Sequence, residues 1–414
     1  MTSTRQQVIN AIWGGTLPSA PPEHVHETNL TYGSIATAPG TIKRSKVLRF
    51  LLPGGLWTRA QVYWPQAPER RVALIWHNGH GGDGWLTFGE ALRRGYVVVD
   101  MAMMGYQGEV APWNNMAIPA TYTLAGGGTV AIGTHDSFAS VVAAGERAMP
   151  VFLDAVFRVV TWLRDRIGIT RVGLAGHSGG GWTALLAGAL DERLDIVASV
   201  HGWCPIGAPG SPNRDYEQTA PELFAQRGMD YPDYSAMIGA RRQLLVTGSG
   251  DNIFGPIVLG QVNIDAMVTS IQATGANLAA TIFTTSDHGI VVAEANYTVD
   301  QFDLVFGCPR YVAPRWSGTL AVAQDIARIT NALAGLPRRG TGGTLVPVAS
   351  WNGIAPTPAG WTAAYVATDL GAGNGRIDIS EADYTRLYDA AQVATLPGAD
   401  QTIVTAQRGA FVGR

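Results

Sequence analysis

The run Gly176-His177-Ser178-Gly179-Gly180-Gly181 sets one hydroxyl among glycines, the residue pattern of a nucleophile held on a sharp turn. An apolar stretch, Val172–Gly176, leads straight into Ser178, and a helical pattern follows from Gly181 to Leu190. Such a strand–turn–helix forces unusual φ/ψ on the serine, and its neighbours must lack a Cβ so that strand and helix can approach. The hydroxyl then stands at a helix N-terminus, where free N–H groups and the dipole favour developing negative charge. Serine needs a base to become a nucleophile, and the base needs an acid to orient it. His288 falls late in the chain, just after a strand-like run, in Thr284-Thr285-Ser286-Asp287-His288. His177 lies inside the turn and His201 ends the neighbouring strand; either would line the site, and neither is placed to be the base. Asp251 follows another strand, in Gly248-Ser249-Gly250-Asp251, and is the expected acid. Asp287 competes, but its adjacency to His288 makes the far side of the imidazole hard to reach. The chemistry implied is acyl transfer through serine.

A tetrahedral intermediate needs two backbone N–H donors for its oxyanion. Gly179 supplies one, and the loop His77-Asn78-Gly79-His80-Gly81-Gly82-Asp83 supplies the other, with Gly81 the expected donor. His77 and His80, three apart, raise metal binding as an alternative, though no helix or third ligand accompanies them. His80, His177, His135, Trp182 and Trp203 are candidate substrate contacts. The polar clusters Thr134-His135-Asp136-Ser137 and Asp215-Tyr216-Glu217-Gln218 are equally well explained by local capping, and the tryptophans by core packing.

Short apolar runs that alternate with helical patterns predict an α/β fold with a mostly parallel central sheet flanked by helices. The strands expected are Val72–Trp76, Tyr96–Met101, Val172–Gly176, Ile196–Val200, Gln243–Thr247 and Ala280–Phe283, with helices over Gln6–Trp13, Phe152–Arg166, Gly181–Leu190 and Asp265–Thr274. Residues 1–45 read as an N-terminal arm and 46–336 as the catalytic domain, interrupted by insertions at about 105–150 and 204–241. Long segments after the C-terminal ends of strands in an open sheet are where ligands are gripped. The linker-like composition of 337–344 separates a small module, 345–414.

With 46% hydrophobic residues the chain can build a large core, and a net charge of −3 offers no basic surface for nucleic acid or an anionic membrane. No apolar run is long enough to span a bilayer, and no signal peptide precedes the domain, so a soluble, by default cytoplasmic, protein is expected. Two cysteines, Cys204 and Cys308, form no framework and read as buried thiols, with a single bridge as the alternative.

Over roughly residues 45–310 the chain resembles the α/β-hydrolase superfamily. Within it the elbow is similar to the acetyl-xylan-esterase and dipeptidyl-peptidase-like branch, where it reads G-x-S-G-G-G-W, as Gly176–Trp182 does here. The resemblance implies a serine–acid–histidine triad on Ser178, Asp251 and His288 and acyl transfer to water through an acyl-enzyme, without a cofactor. The two insertions match no lid of that family and leave the substrate open. A carboxylic ester hydrolase acting on an acylated carbohydrate or another small ester is favoured, because only a short segment precedes the hydrolase-like region. A peptidase or amidase with the same triad and a non-catalytic binding protein on this fold are the alternatives. In the tail, the stretch from Asp369 to Asp383 resembles an EF-hand or dockerin loop, with Asp369, Asn374, Asp378 and Glu381 as calcium ligands and a helix at Ala382–Gln392. The first and third loop positions fall on Leu370 and Ala372, so a metal-free glycine-rich turn stands beside the calcium reading. A structural calcium ion and a docking role for a protein partner are what that resemblance implies.

Overall fold

A computed structural model describes residues 4–28, 42–66, 69–79, 84–103, 118–203, 205–206, 215–283 and 287–308, with short strands at 316–317, 353–354, 366–371 and 374–378. The chain divides into two units, Met1–Phe306 and Gly307–Arg414.

The first unit is built on nine strands: β1 (His24–Thr28), β2 (Ile42–Leu51), β3 (Trp57–Pro65), β4 (Val72–Asn78), β5 (Val97–Ala102), β8 (Arg171–His177), β9 (Ile196–Val200), β10 (Arg242–Gly248) and β11 (Leu278–Phe283). Their order across the sheet is β1-β2-β3-β5-β4-β8-β9-β10-β11. From β5 to β11 the pairings are parallel, while β1, β2, β3 and β5 pair antiparallel at one side. A two-stranded ribbon, β6 (Ala120–Thr123) and β7 (Thr129–Ile132), belongs to the first insertion.

Strand β4 is buried at every position and β8 at all but its first. That is the continuous apolar pattern of strands covered on both faces, and it is why these runs were legible as strands. The covering helices are α1 (Thr4–Trp13), α2 (Trp85–Arg93), α3 (Phe138–Ala143), α4 (Met149–Ile167), α5 (Gly179–Leu190), α6 (Tyr216–Thr219), α7 (Tyr231–Ile238), α8 (Pro256–Leu259), α9 (Gln261–Ala273) and α10 (Val292–Phe306). Helix α4 opens with Pro150 in its first turn and stops at Gly168, which takes the left-handed conformation at φ 70°. Helix α5 is buried all round, so its residues show no polar face and it is apolar on every side. None of the helices among the described residues is long and apolar enough to cross a membrane.

The six expected strands and four expected helices all occur, most of them one to three residues longer than their periodicity shows. The N-terminal segment is more than an arm. Helix α1 buries Val8, Ile9 and Ile12. Arg5 Nε and Nη2 donate to the carbonyls of Ala189 (2.7 Å) and Met237 (2.6 Å), and Trp13 Nε1 donates to Asp154 Oδ1 (2.6 Å).

The sheet changes winding direction between β4 and β8, since β5 lies to one side of this pair and β9, β10 and β11 to the other. The crevice beyond the C-terminal ends of strands at such a point is the ordinary ligand site of an open α/β sheet. With the sharp turn from β8 into α5 placed there, this is the α/β-hydrolase fold.

In the second unit, the described strands are β12 (Trp316–Ser317), β13 (Gly353–Ile354), β14 (Val366–Gly371) and β15 (Asn374–Asp378), in the order β12-β15-β14-β13. Part of the stretch from Asp369 to Asp383 lies in two paired antiparallel strands, β14 and β15. Asp369 pairs with Gly375, Gly371 with Asn374 and Asp378 with Val366. Glu381, the helix expected at Ala382–Gln392 and the 337–344 linker lie outside the described residues.

Candidate active site

Ser178 sits between β8 and α5 with φ 56° and ψ −124°, one of three non-glycine residues with positive φ among the described residues. A serine held in this region is strained by about 1–3 kcal/mol, and the surroundings fix it there. Its N–H donates to Val200 O (2.9 Å), and its own carbonyl accepts from Gly181 and Trp182 at the start of α5. A Cβ at Gly180 would overlap the carbonyl oxygen of His77 at the end of β4, and one at Gly202 would overlap the carbonyl of Ser178. The glycines therefore let β4, the elbow and the end of β9 share one small volume.

Gly179, whose N–H is the first expected oxyanion donor, opens α5. Gly79 closes against it: a Cβ on Gly79 would lie 2.7 Å from Gly179 N and 2.8 Å from Ser178 Cβ. The loop after β4 thus reaches the elbow, as the second donor requires. Gly81 and His80 lie outside the described residues. The end of β4 is held by side chains: Asn78 Nδ2 donates to Asp100 Oδ1 (2.6 Å) and Met101 O (3.0 Å), and Trp76 Nε1 donates to Asn78 Oδ1 (2.9 Å). His77 is buried and donates from Nδ1 to Asn78 O (3.0 Å); burial lowers its pKa to about 4.

Asp251 and His288 come together from the loops after β10 and β11. His288 Nδ1 lies 3.0 Å from Asp251 Oδ1, while its Nε2 is buried with no hydrogen-bond partner among the described residues. The other carboxylate makes a local contact: Asp287 Oδ1 accepts from the N–H of Gly289 (2.9 Å). Asp251 is fully buried, and Oδ1 also accepts from the N–H groups of Ile253 (2.8 Å) and Phe254 (3.0 Å). Burial alone would raise its pKa. Hydrogen bonds from His201, His288 and the backbone outweigh burial and hold it well below the usual carboxylate range.

Two more histidines crowd this pair. His177 donates from Nε2 to the carbonyl of His288 (2.7 Å), and the two rings lie 4.8 Å apart. Burial, then the neighbouring His288 and His201, depress its pKa to about 3, so it is neutral. His201 places Nδ1 2.8 Å from Asp251 Oδ2 and Nε2 3.0 Å from Glu294 Oε1 in the first turn of α10. Burial opposes its charge, but the hydrogen bonds to both carboxylates prevail and raise its pKa to about 9. Glu294 is absent from the sequence reading, and no local signal could have found it, because its partner lies 93 positions away.

The insertions meet close to the elbow. His135 Nδ1 from the first lies 3.1 Å from Glu217 Oε2 and 3.7 Å from Asp215 Oδ2 of the second. Glu217 is fully buried, and burial raises its pKa. Trp182, 1% exposed, packs edge-on against Phe152, and Trp203, 3% exposed, also joins the core. Both rings are buried in the core. Cys204 lies outside the described residues.

No family model matches the sequence, and no curated protein matches it. Among solved structures, an acetyl xylan esterase from Thermoanaerobacterium sp. JW/SL YS485 is similar at a TM-score of 0.48 and 14% identity, over 73% of this chain and 92% of its own. A putative dienelactone hydrolase from Klebsiella pneumoniae is similar at 0.41 and 15%, over 64% and 99%. A cold-adapted esterase from an Arctic intertidal metagenomic library is similar at 0.42 and 10%, over 67% and 96%.

Proposed function

We propose that this protein is a serine hydrolase that cleaves a carboxylic ester through an acyl-enzyme intermediate. The observations that support the reading are the strained Ser178 at the head of α5 and the setting of His288. The His288 ring lies 4.8 Å from that of His177, the residue before Ser178; its Nδ1 is engaged by Asp251, and its Nε2 has no hydrogen-bond partner among the described residues. Because a carboxylate only accepts, His288 holds its proton on Nδ1 and offers the Nε2 lone pair as base. In the first step Ser178 Oγ attacks the ester carbonyl and its proton passes to His288 Nε2. The tetrahedral oxyanion receives hydrogen bonds from Gly179 N–H and from the loop after β4, with Gly81 as the expected second donor. The proton then moves from His288 to the leaving alkoxide, which departs as alcohol. Water repeats the sequence in the second half, with His288 again as base, and releases the acid.

An acylated carbohydrate or another small ester is the substrate class proposed. His135, Asp215 and Glu217 of the two insertions are the polar groups nearest to serving its recognition. Hydrolysis of short-chain p-nitrophenyl esters should vanish in Ser178→Ala while the circular dichroism spectrum persists, and a fluorophosphonate probe should label Ser178 alone. Unchanged turnover in that variant would sink the reading. A panel of acetylated sugars against aminoacyl-naphthylamides separates esterase from amidase.

A further inference from the structure

We propose that His201, held as an imidazolium between Asp251 and Glu294, is a positioning residue that fixes the orientation and charge of the acid for His288. This rests on the ester-hydrolase reading of Ser178. The argument begins with the two ring nitrogens, 2.8 Å from Asp251 Oδ2 and 3.0 Å from Glu294 Oε1. A neutral imidazole has one N–H, so one of these contacts would set a lone pair against a carboxylate oxygen; both are hydrogen bonds only when both nitrogens carry protons. Glu294 is built to accept: its Oε2 takes the N–H of Val291 (3.0 Å), and it lies in the first turn of α10, where the helix end favours a negative charge.

His201 is held there at backbone cost. It has φ 51°, outside the usual range for a non-glycine residue, while its N–H continues the ladder to Val246 O (2.8 Å). The turn aims the side chain across the ends of β9 and β10 at Asp251. The Asp251 carboxylate is consequently gripped on both oxygens, Oδ1 by His288 and two backbone N–H groups and Oδ2 by His201. It can neither rotate about its Cβ–Cγ bond nor pick up a proton without breaking a charge-assisted bond.

The charges fit a single proton transfer. The groups facing His201 are Asp251 from the loop after β10, Glu294 from α10, His288 from the loop after β11 and the neutral His177 at the end of β8. With Asp251 and Glu294 ionised and His201 protonated, the cluster carries one net negative charge, which the proton arriving on His288 neutralises. His201 itself keeps both protons throughout. Losing its cation would leave a more negative cluster that grips the His288 proton harder; losing the Glu294 anion would do the opposite.

The experiment compares Ser178→Ala, His201→Gln and Glu294→Gln in the full chain on a short-chain p-nitrophenyl ester. His201→Gln should lower kcat about 10- to 100-fold, leave KM within about twofold and move the acid limb of the kcat–pH profile to higher pH. Glu294→Gln, whose amide oxygen still accepts from Nε2–H, should lower kcat less and move that limb to lower pH. If His201→Gln fails to fold, Glu294→Gln and the ¹⁵N resonances of His201 in the parent decide, since an imidazolium at pH 8 shows both nitrogens protonated. A neutral His201, or an acid limb that stays put in both variants, overturns the assignment. Should Ser178→Ala abolish turnover while both other variants match the parent, only the role of His201 falls; should Ser178→Ala retain turnover, the ester reading falls and takes this role with it.

Discussion

Helix α10 carries two buried ionic clusters, one at each end, and they are built from different chemistry. Toward its C-terminal end, Asp303 and Asp300 accept from Arg94 Nη1 (2.6 and 2.8 Å), and Arg94 Nε donates to Glu90 (2.9 Å). Tyr96 Oη–H completes the group on Asp303 (2.7 Å). Toward its N-terminal end, Glu294 faces His201, and through it Asp251 and His288. The guanidinium is a permanent charge in a fixed fork, and its neighbours push its pKa still higher against the opposing effect of burial. An imidazole carries one proton or two, and this cluster leaves one buried nitrogen, His288 Nε2, without a hydrogen-bond partner among the described residues. The first cluster ties α2 to α10; the second joins α10 to the loops after β10 and β11 through His201. One helix can serve both because cation type, more than burial, decides whether an ion cluster is mute or reactive.

The largest expected effect breaks the reactive cluster. Asp251→Asn should lower kcat by about 10⁴, because an amide that donates toward Nδ1 stabilises the wrong tautomer of His288. Asp287→Asn, at the carboxylate that accepts from the N–H of Gly289, should stay within about threefold. Comparable losses from the two would remove the distinction between them.

The mute cluster should respond in stability instead. Arg94→Met removes the cation that Asp303, Asp300 and Glu90 share, leaving Arg93 on Glu90 and Arg70 3.8 Å from Asp303, and should cost about 3 kcal/mol in a urea titration, with kcat per folded molecule unchanged. A collapse of kcat at full folding would show that the two ends of α10 are not independent.

The pH profile of stability sharpens the contrast further. His77 and His177 have folded pKa values lowered from 6.5 to about 4 and about 3. Between those values and 6.5 the unfolded chain binds protons that the folded one refuses, so stability falls as pH drops through this window. His77 alone accounts for on the order of 3 kcal/mol. His201 acts in the opposite sense. Its folded pKa, about 9, exceeds 6.5, so its contribution is complete below pH 6.5 and is lost as pH rises toward 9. The urea midpoint should therefore peak near pH 6.5 and decline on both sides; a flat course from pH 6.5 to 9 would remove the His201 cation. Arg94 stays charged across this whole range.

Much of the fold was legible because buried parallel strands are written as continuous apolar runs; Val72–Trp76 and Val172–Gly176 needed no context. Strands β2 and β3 were not among those expected. Their alternating, half-polar runs at the antiparallel side of the sheet, such as Lys46–Phe50, carry a weaker signal.

By itself the sequence determined the sharp turn at Ser178, since the strand, glycines and helix around it are contiguous and their geometry follows from local sterics. It also set Asp251 and His288 after strands, in that order. Only the tertiary structure decided which groups surround them. His201, Asp251, His288 and Glu294 come from four separate segments, and their meeting is set by how β9, β10, β11 and α10 stack at one edge of the sheet. No periodicity records such a meeting, because a hydrogen bond between distant segments depends on the packing of everything between them.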